Sequence, residues 1–499
     1  MHDKNIKRLV KKQLKQQFPE WNQLTKREKK ELSKQVLEEV VRTYSFDEDI
    51  KAPMNELLGT PDIQSADIMS LSDMECFIDN HNKRILKLPV PSKRQYIKDP
   101  ELTAIDKLLE DSIINRLLAT EGYTPCMRVI HPSHMLRAEL LKSLKYPEIS
   151  YRKYCATQVN NLQQKPNRAF VSLPLNKKVY ISHSQLSQFR KGLTFSQLVN
   201  IMVYIIHLFI KSGRLDSRFV VHAIDSSELS AVCNPRPLAT IKIGDKKVRI
   251  YADLDADCGK RRKKRDKSEY FVGYRLHTLT GINPLTGHSY PLISIVAAGN
   301  HHDSLLLEQL VMLGKTIGLE LKVLIADEAY GDGDHSEAIR KEYGVTVVTP
   351  PRENVKLPDS VDKDSHAVYM DQLCEIPMMY MGRMDNGSHE FKCSTNPEEC
   401  IRSATCGQYR EIPVDAGIFG QIPEQVRGVN ELRDLRKNSE RPFNLLKHRE
   451  GLEPLRVRSQ HGLMAVATFA SMANLLLEII ATRKTKRKEN PQQKLILAA

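Results

Sequence analysis

Two rhythms of apolar and polar positions divide the chain. Up to about residue 215 apolar residues recur at helical spacing. LTKREKKELSKQVLEEVVRTY brings Leu32, Val36, Leu37 and Val40 to one side of a helix with charges elsewhere. The proline-bearing KLPVPSKRQYIKDP marks a boundary near residue 100. ELTAIDKLLEDSIINRLLATEG resumes the helical pattern, and SLPLNKKVYISHSQLSQFRKGLTFSQLVNIMVYIIHLFIKSG comes after it. Within it, SHSQLSQFRK has polar caps and is expected to expose Arg190 and Lys191.

From Arg218 the rhythm changes to short apolar runs. RFVVHAIDSSEL reads as a buried strand delivering Asp225 at its carboxyl end. KKVRIYADLDAD, YFVGYRLHTLTG and SYPLISIVAAGN read as further strands of a mixed sheet. HDSLLLEQLVMLGKTIGLEL is a helix headed by Asp303 and Ser304. KVLIADEAYG then repeats the first theme, a buried strand ending in Asp327, before a helix and the short strand VTVVTPP. Residues 352–428 break into polar, turn-rich pieces and read as an insertion, and long helices return from Asn430. The boundaries expected are 1–100, basic and helical; 101–215, helical; 216–351, first part of an α/β core; 352–428, insertion; 429–482, the helices completing the core; and 483–499, a basic tail.

Composition adds a partner to this outline. Lys plus Arg is 75 against 61 for Asp plus Glu, a net charge of +14, which fits a polyanion although it also fits a protein kept apart by like charge. With 41% hydrophobic residues most of the 499-residue chain is expected to fold, in more than one domain. No secretory signal opens the sequence. The apolar run Val199 to Ile210 is shorter than the roughly 20 residues a bilayer demands, and Ala465 to Ala481 carries Thr468, Ser471, Asn474 and Glu478, so both are read as core helices. Nine scattered cysteines do not form a disulfide framework, and an intracellular setting is expected.

The two strand-end aspartates carry the chemistry. Lying in the middle of one sheet, Asp225 and Asp327 are placed to share metal ions. Attack on a phosphodiester needs an activated nucleophile and a stabilised leaving oxygen, which two ions about 3.5 to 4 Å apart serve together. Mg²⁺ takes hard oxygen ligands and retains water, so carboxylates suit it, with Mn²⁺ as a substitute. Glu440 is the third carboxylate expected. In NELRDLRKNSERPFNLLKHRE it comes after Arg433 and Arg436 at spacings of three and four, on one helix face, with Lys447 two turns later. The bland alternative is a surface helix with weak i,i+4 ion pairs.

HAIDSSEL, YFVGYRLHTLTG, LIADEAYGD and RKNSERPFNLLK, in this order, resemble the catalytic core of insertion-sequence transposases with a DDE triad and a ribonuclease H-like fold. The resemblance spans about residues 215–480. It implies a ribonuclease H-like mixed sheet interrupted by a strand-rich insertion and preceded by a mainly helical DNA-binding region. It implies that Asp225, Asp327 and Glu440 are the catalytic metal ligands, and that Arg436 and Lys447 handle the DNA end. A tyrosine usually opens the last motif; Arg433 stands there in this chain. The chemistry implied is hydrolysis at the ends of a mobile element, then attack of the freed 3′-hydroxyl on target DNA. The partners implied are double-stranded element ends and target, with a homodimer bringing two ends together, in the cytoplasm and nucleoid of a prokaryotic cell.

Other residues fit this frame less directly. GKRRKKRDKSE places Arg261, Arg262, Lys263, Lys264 and Arg265 in an exposed loop suited to phosphate contact. Asp253, Asp255 and Asp257 alternate on one face of a strand and are read as surface residues or neighbours of the site. His277 either approaches a phosphate or water or is packed in the core, and Tyr330 shapes the turn after Asp327. Cys393, Cys400 and Cys406, with Cys374 or His389, lack the close pairs of structural zinc sites, and reduced thiols are preferred. Two other functions share these features: a nuclease of the same fold that does not join DNA, and a non-catalytic DNA-binding derivative.

Overall fold

The computed structural model describes residues 63, 67–84, 95–119, 130–213, 221–243, 246–262 and 268–486, less gaps at 285, 302, 332, 351–357, 363–364, 366, 371–373, 397, 401–405, 414–428, 450 and 455. The basic arm before residue 45, Lys263, Lys264, Arg265 and the end of the tail lie outside the described residues, as do the side chains of Arg261 and Arg262.

The first half is helical: α1 (Leu71–Arg84), α2 (Pro100–Asp106), α3 (Asp111–Leu117), α4 (Pro132–Lys145), α5 (Tyr151–Tyr154), α6 (Lys165–Phe170), α7 (His183–Gly192) and α8 (Phe195–Lys211). Thr194 starts α8 with a reciprocal cap, its hydroxyl accepting from the Gln197 N–H while the Gln197 side chain accepts from its own N–H. Ten side chains of α8 between Leu198 and Phe209 are buried, and Phe209 meets the Tyr290 ring edge-on at 4.8 Å between centroids. Burying each such side chain stabilises the fold by about 1.5–3 kcal/mol. In α7 the expected exposed pair divides. Lys191 is exposed, but Arg190 is 4% exposed, paired with Glu139 and stacked on Tyr151. The sequence around Arg190 does not reveal that Glu139 of α4 is waiting for it, so this guanidinium is a structural pin and not a phosphate contact.

The second half is built on β1 (Val221–Ser230), β2 (Ala239–Ile243), β3 (Lys246–Ile250), β4 (Asp257–Arg262), β5 (Ser268–Ile282), β6 (Ser289–Ala298), α9 (Ser304–Thr316), β7 (Val323–Ala326), α10 (Gly333–Tyr343) and β8 (Thr346–Val348). The order is β6-β5-β1-β7-β8, with β1, β7 and β8 parallel and β5 antiparallel to both β1 and β6. β4 continues the β6 edge along the first half of β5, and β2 and β3 form a separate hairpin. This three-antiparallel, two-parallel order is that of a ribonuclease H-like core. Gly273 lies where β1, β4 and β5 meet, and a Cβ there would collide with the Leu229 carbonyl.

The next stretch contributes β9 (Met379–Arg383), β10 (His389–Lys392) and β11 (Tyr409–Ile412), a three-stranded antiparallel sheet with its own small core of Val361, Val368, Met378, Phe391 and Ile412. Helices α11 (Val429–Leu435), α12 (Glu440–Asn444) and α13 (Gln460–Lys486) complete the chain. α13 packs against β6, α8 and α4, so one hydrophobic cluster joins the helical half to the sheet. Among the described residues it is the single helix long and apolar enough to cross a membrane, and 89% of that stretch is buried inside the fold. Its first turn corrects the reading of the alternating aspartates. Residues 251–256 form turns rather than a strand, Asp253 is 4% exposed, and the Asp253 and Asp255 carboxylates accept from the Ser459 and Gln460 N–H groups. They cap α13, where negative charge favours the helix dipole.

Candidate active site

β1 and β7 run side by side with Ile224 beside Ala326, so the next residue on each is an aspartate, Asp225 and Asp327. Alternation along the strands sends Ile224 and Ala326 into the main core. The aspartates emerge on the other face, where Ala223, Ile282 and Ile325 form a small apolar patch under Leu432 and Leu435 of α11. α11 thereby carries the next segment of the chain, a 3₁₀ turn at Arg436–Ser439, over the two aspartates.

Arg436 stands between the two carboxylates. Its Nη1 is 3.8 Å from Asp225 Oδ2 and 3.8 Å from Asp327 Oδ1, an electrostatic neighbour of both and a hydrogen-bond donor to neither. Ser439, fully buried, donates its hydroxyl to Asp225 Oδ2 at 2.9 Å, and the Ser226 N–H donates to Oδ1 at 2.8 Å. The Glu328 N–H donates to Asp327 Oδ1 at 2.8 Å. Burial pushes the Asp225 pKa above its ordinary value; the two hydrogen bonds and Arg436 oppose the rise, while the charge of Asp327 adds to it. The pair therefore calls for positive charge between its members, and Arg436 supplies it here.

The helix bearing the third expected carboxylate is not uniform. α11 passes into the 3₁₀ turn, then α12, then a π turn at Leu445–Arg449. In 3₁₀ geometry residues three apart eclipse, so Arg436 and Ser439 point together at Asp225. Glu440, one step further round, is exposed. Among the described residues no three His, Cys, Asp or Glu side chains are gathered to hold a metal. Thus Asp225 and Asp327 are brought together and Glu440 is outside the pair. Arg433 donates to the Thr349 carbonyl at 3.2 Å, and Lys447 pairs with Glu453 at 3.4 Å. Cys374, Cys393, Cys400 and Cys406 are half-buried thiols.

A polar cluster lies on the far face of the same strands. Asp303, at the head of α9, turns its carboxylate to Arg275 (3.0 and 3.1 Å) and accepts from the Ser226 hydroxyl at 3.2 Å. Buried His277 holds the Tyr330 hydroxyl at Nδ1, 2.8 Å away, and burial lowers its pKa to about 3. The imidazole is therefore neutral. His277 is fully buried and shares the face of Ser226, opposite the carboxylate pair. Ser439, Ser226, Asp303 and Arg275 were not singled out from the sequence as site residues; Ser439 adjoins Glu440 and Ser226 adjoins Asp225, and that adjacency was the available signal.

Asp327 directly follows β7, but Asp225 lies in the middle of β1, which runs on to Ser230 because β5 stays paired with it, rather than at the carboxyl end the sequence predicts. The two aspartates meet where the β1–β7 pairing stops, and on a ribonuclease H-like sheet they define a carboxylate-centred site. The chain belongs to the DDE transposase family: the model of the transposase DDE domain matches residues 220–476, just over half of its length. No curated protein matches it. Among solved structures it is similar to the one described as "Cryo-EM structure of piggyBac transposase synaptic complex with hairpin DNA (SNHP)", at 12% identity over 86% of this chain and 84% of that one. The TM-score of that superposition is 0.29.

Proposed function

We propose that this protein is a DNA transposase that cleaves strands at the ends of a mobile element and joins the freed 3′-hydroxyl to target DNA. The observation that carries the reading is the pairing of Asp225 with Asp327 on adjacent parallel strands around a shared cation, within the matched family domain. Asp225 and Asp327 would hold a divalent cation, Mg²⁺ with Mn²⁺ as substitute, and Glu440 would complete the set. Hard oxygen donors whose mutual repulsion is now offset by Arg436 fit such an ion. When bound, the ion supplies Lewis-acid polarisation of the phosphate and an acidified water.

The chain's own residues do the rest. Ser439 and the Ser226 N–H orient the Asp225 carboxylate, and the Glu328 N–H orients Asp327. Arg436, once drawn from between the aspartates, is within reach of a backbone phosphate at the strand ends, with Arg433 and Lys447 on the same helical segment. The basic run from Lys260 to Lys267, of which Lys260, Arg261 and Arg262 lie on β4 paired with β5 rather than in the loop the sequence predicts, would add affinity without sequence preference. Two DNA ends call for a homodimer, and the place of action would be the cytoplasm and nucleoid of a prokaryotic cell. Residues 101–215 would bind the element end and 352–428 would be the insertion within the catalytic domain.

The test is end-labelled DNA spanning an element boundary, incubated with Mg²⁺ and intact protein or Asp225→Ala, Asp327→Ala or Glu440→Ala. Cleaved and joined products that vanish in all three variants support the proposal. Hydrolysis without joining under paired-end conditions assigns a nuclease instead, and DNA binding without either reaction assigns a non-catalytic derivative.

A further inference from the structure

Two clusters meet where the β1–β7 pairing stops, at Asp225 within β1 and Asp327 just after β7: the carboxylate pair on one face, and on the other a buried group that the proposed chemistry leaves unused. The second is built from four elements. Arg275 and His277 come from β5, Ser226 from β1, Asp303 from the head of α9, and Tyr330 from the 3₁₀ turn after β7.

Each rear contact leads to one front carboxylate. The Ser226 N–H holds Asp225 Oδ1 at 2.8 Å, while the Ser226 hydroxyl reaches backward to Asp303 Oδ2 at 3.2 Å. Asp303 is itself fixed by Arg275, whose other nitrogen donates to the Lys260 carbonyl at 3.0 Å. On β7, the Tyr330 N–H donates to the Asp327 carbonyl at 2.9 Å and closes the turn that presents the aspartate. The Tyr330 ring is buried behind that turn with its hydroxyl on His277 Nδ1. His277 and Ser226 face each other in the β1–β5 register, and His277 Nε2 lies 3.9 Å from Asp303 Oδ1, so the two routes converge on one carboxylate.

We infer that Asp303, with Ser226 and Tyr330, is a positioning set that holds Asp225 and Asp327 at a common spacing from behind the sheet. The inference rests on the proposed role of those two aspartates as cation ligands. The residues on the rear face touch neither DNA nor the cation; they act through the carboxylates. Burial and the mutual hydrogen bonds of Asp303, Arg275, Ser226, His277 and Tyr330 stiffen the arrangement, with Arg275 Nε and His277 Nε2 left without hydrogen-bond partners. Stiffness is what two ligands from different strands require, since partners that orient ligands are commonly worth 10- to 100-fold in metal affinity.

The test is Mn²⁺ binding to the full chain without DNA, read from the signal of free Mn²⁺, with thermal melting alongside. The variants are Tyr330→Phe, which keeps the ring and removes the hydroxyl, Ser226→Ala, Asp303→Asn and, as reference, Asp225→Asn. Tyr330→Phe and Ser226→Ala are each expected to weaken Mn²⁺ binding about tenfold while still melting cooperatively. Ser226→Thr, which restores a hydroxyl, is expected to recover most of the Ser226→Ala loss. Wild-type affinity in both Tyr330→Phe and Ser226→Ala, with Asp225→Asn impaired, overturns the positioning inference and leaves the ligand assignment intact. Unimpaired binding in Asp225→Asn removes the ligand assignment itself, and this inference with it.

Discussion

The strand side and the helix side of the site are made differently. Asp225 and Asp327 sit on neighbouring parallel strands whose preceding residues, Ile224 and Ala326, are fully buried, so their separation is set by the ladder. Glu440 sits on a segment that changes from α to 3₁₀ to α to π within residues 429–449, and its side chain is exposed. A residue advances about 100° in an α-helix and about 120° in a 3₁₀ helix, so relaxing the turn Arg436–Ser439 to α geometry rotates Glu440 by roughly 80° relative to Arg436. Under the proposed function the sheet would present two ligands in advance, and the helix would supply a third that must be turned in. Irregular helical geometry in mid-segment is a common mark of a hinge.

The largest effects are expected from the carboxylates, and they separate the two sides. Asp225→Asn and Glu440→Gln should each lower DNA cleavage by about two to three orders of magnitude, the scale of losing one charge-stabilising group. Their stabilities should differ. Asp225 is buried with a raised pKa, so its contribution to folding is fully present below the unfolded value of about 3.9 and is lost as pH rises through the folded value. Asp225→Asn removes that slope and should melt at or above the wild-type temperature at neutral pH. Glu440→Gln, on an exposed side chain, should stay within about 0.5 kcal/mol of wild type. Equal stability profiles in thermal melts from pH 3 to 8 would remove the distinction between a preset and a recruited carboxylate.

Next in size is Arg436→Met. Deleting the cation between the aspartates should tighten DNA-free Mn²⁺ binding about tenfold, because the carboxylates lose their resident counter-charge. The same variant should cleave DNA ends poorly. Calorimetric titration and the cleavage assay read the two effects separately, and a fall in both would make Arg436 a simple support for the pair. Smallest is Ser439→Ala, which deletes one donor to Asp225 and should cost about 1 kcal/mol of stability in denaturant unfolding while raising the Asp225 pKa further.

β7 and the Asp327 that closes it were legible because the signal is local, four apolar residues closed by a polar one, whereas β1 runs past Asp225 to Ser230 because β5 pairs with it to that end, a partner no local pattern shows. The parallel pairing of β1 with β7 fits the helix between them, since such a crossover joins parallel strands. What escaped depends on partners distant in sequence. The burial of Arg190 requires Glu139, and the capping role of Asp253 and Asp255 requires α13, more than 200 residues away. Asp303 was legible as a helix head, yet its carboxylate makes no cap and turns to Arg275 instead. Most telling is Glu440: regular spacing from Arg433 and Arg436 predicts one face only for a regular helix, and no pattern of residue types announced the 3₁₀ turn that sets Glu440 apart.

The most direct test of a two-ligand sheet completed by a recruited helix is Mn²⁺ affinity of wild type and Glu440→Gln, each with and without an element-end DNA duplex. The account predicts equal affinities without DNA and a clear deficit in Glu440→Gln only when DNA is present. A deficit of the same size in the absence of DNA would show that Glu440 already belongs to the site, and would contradict the division between strand and helix.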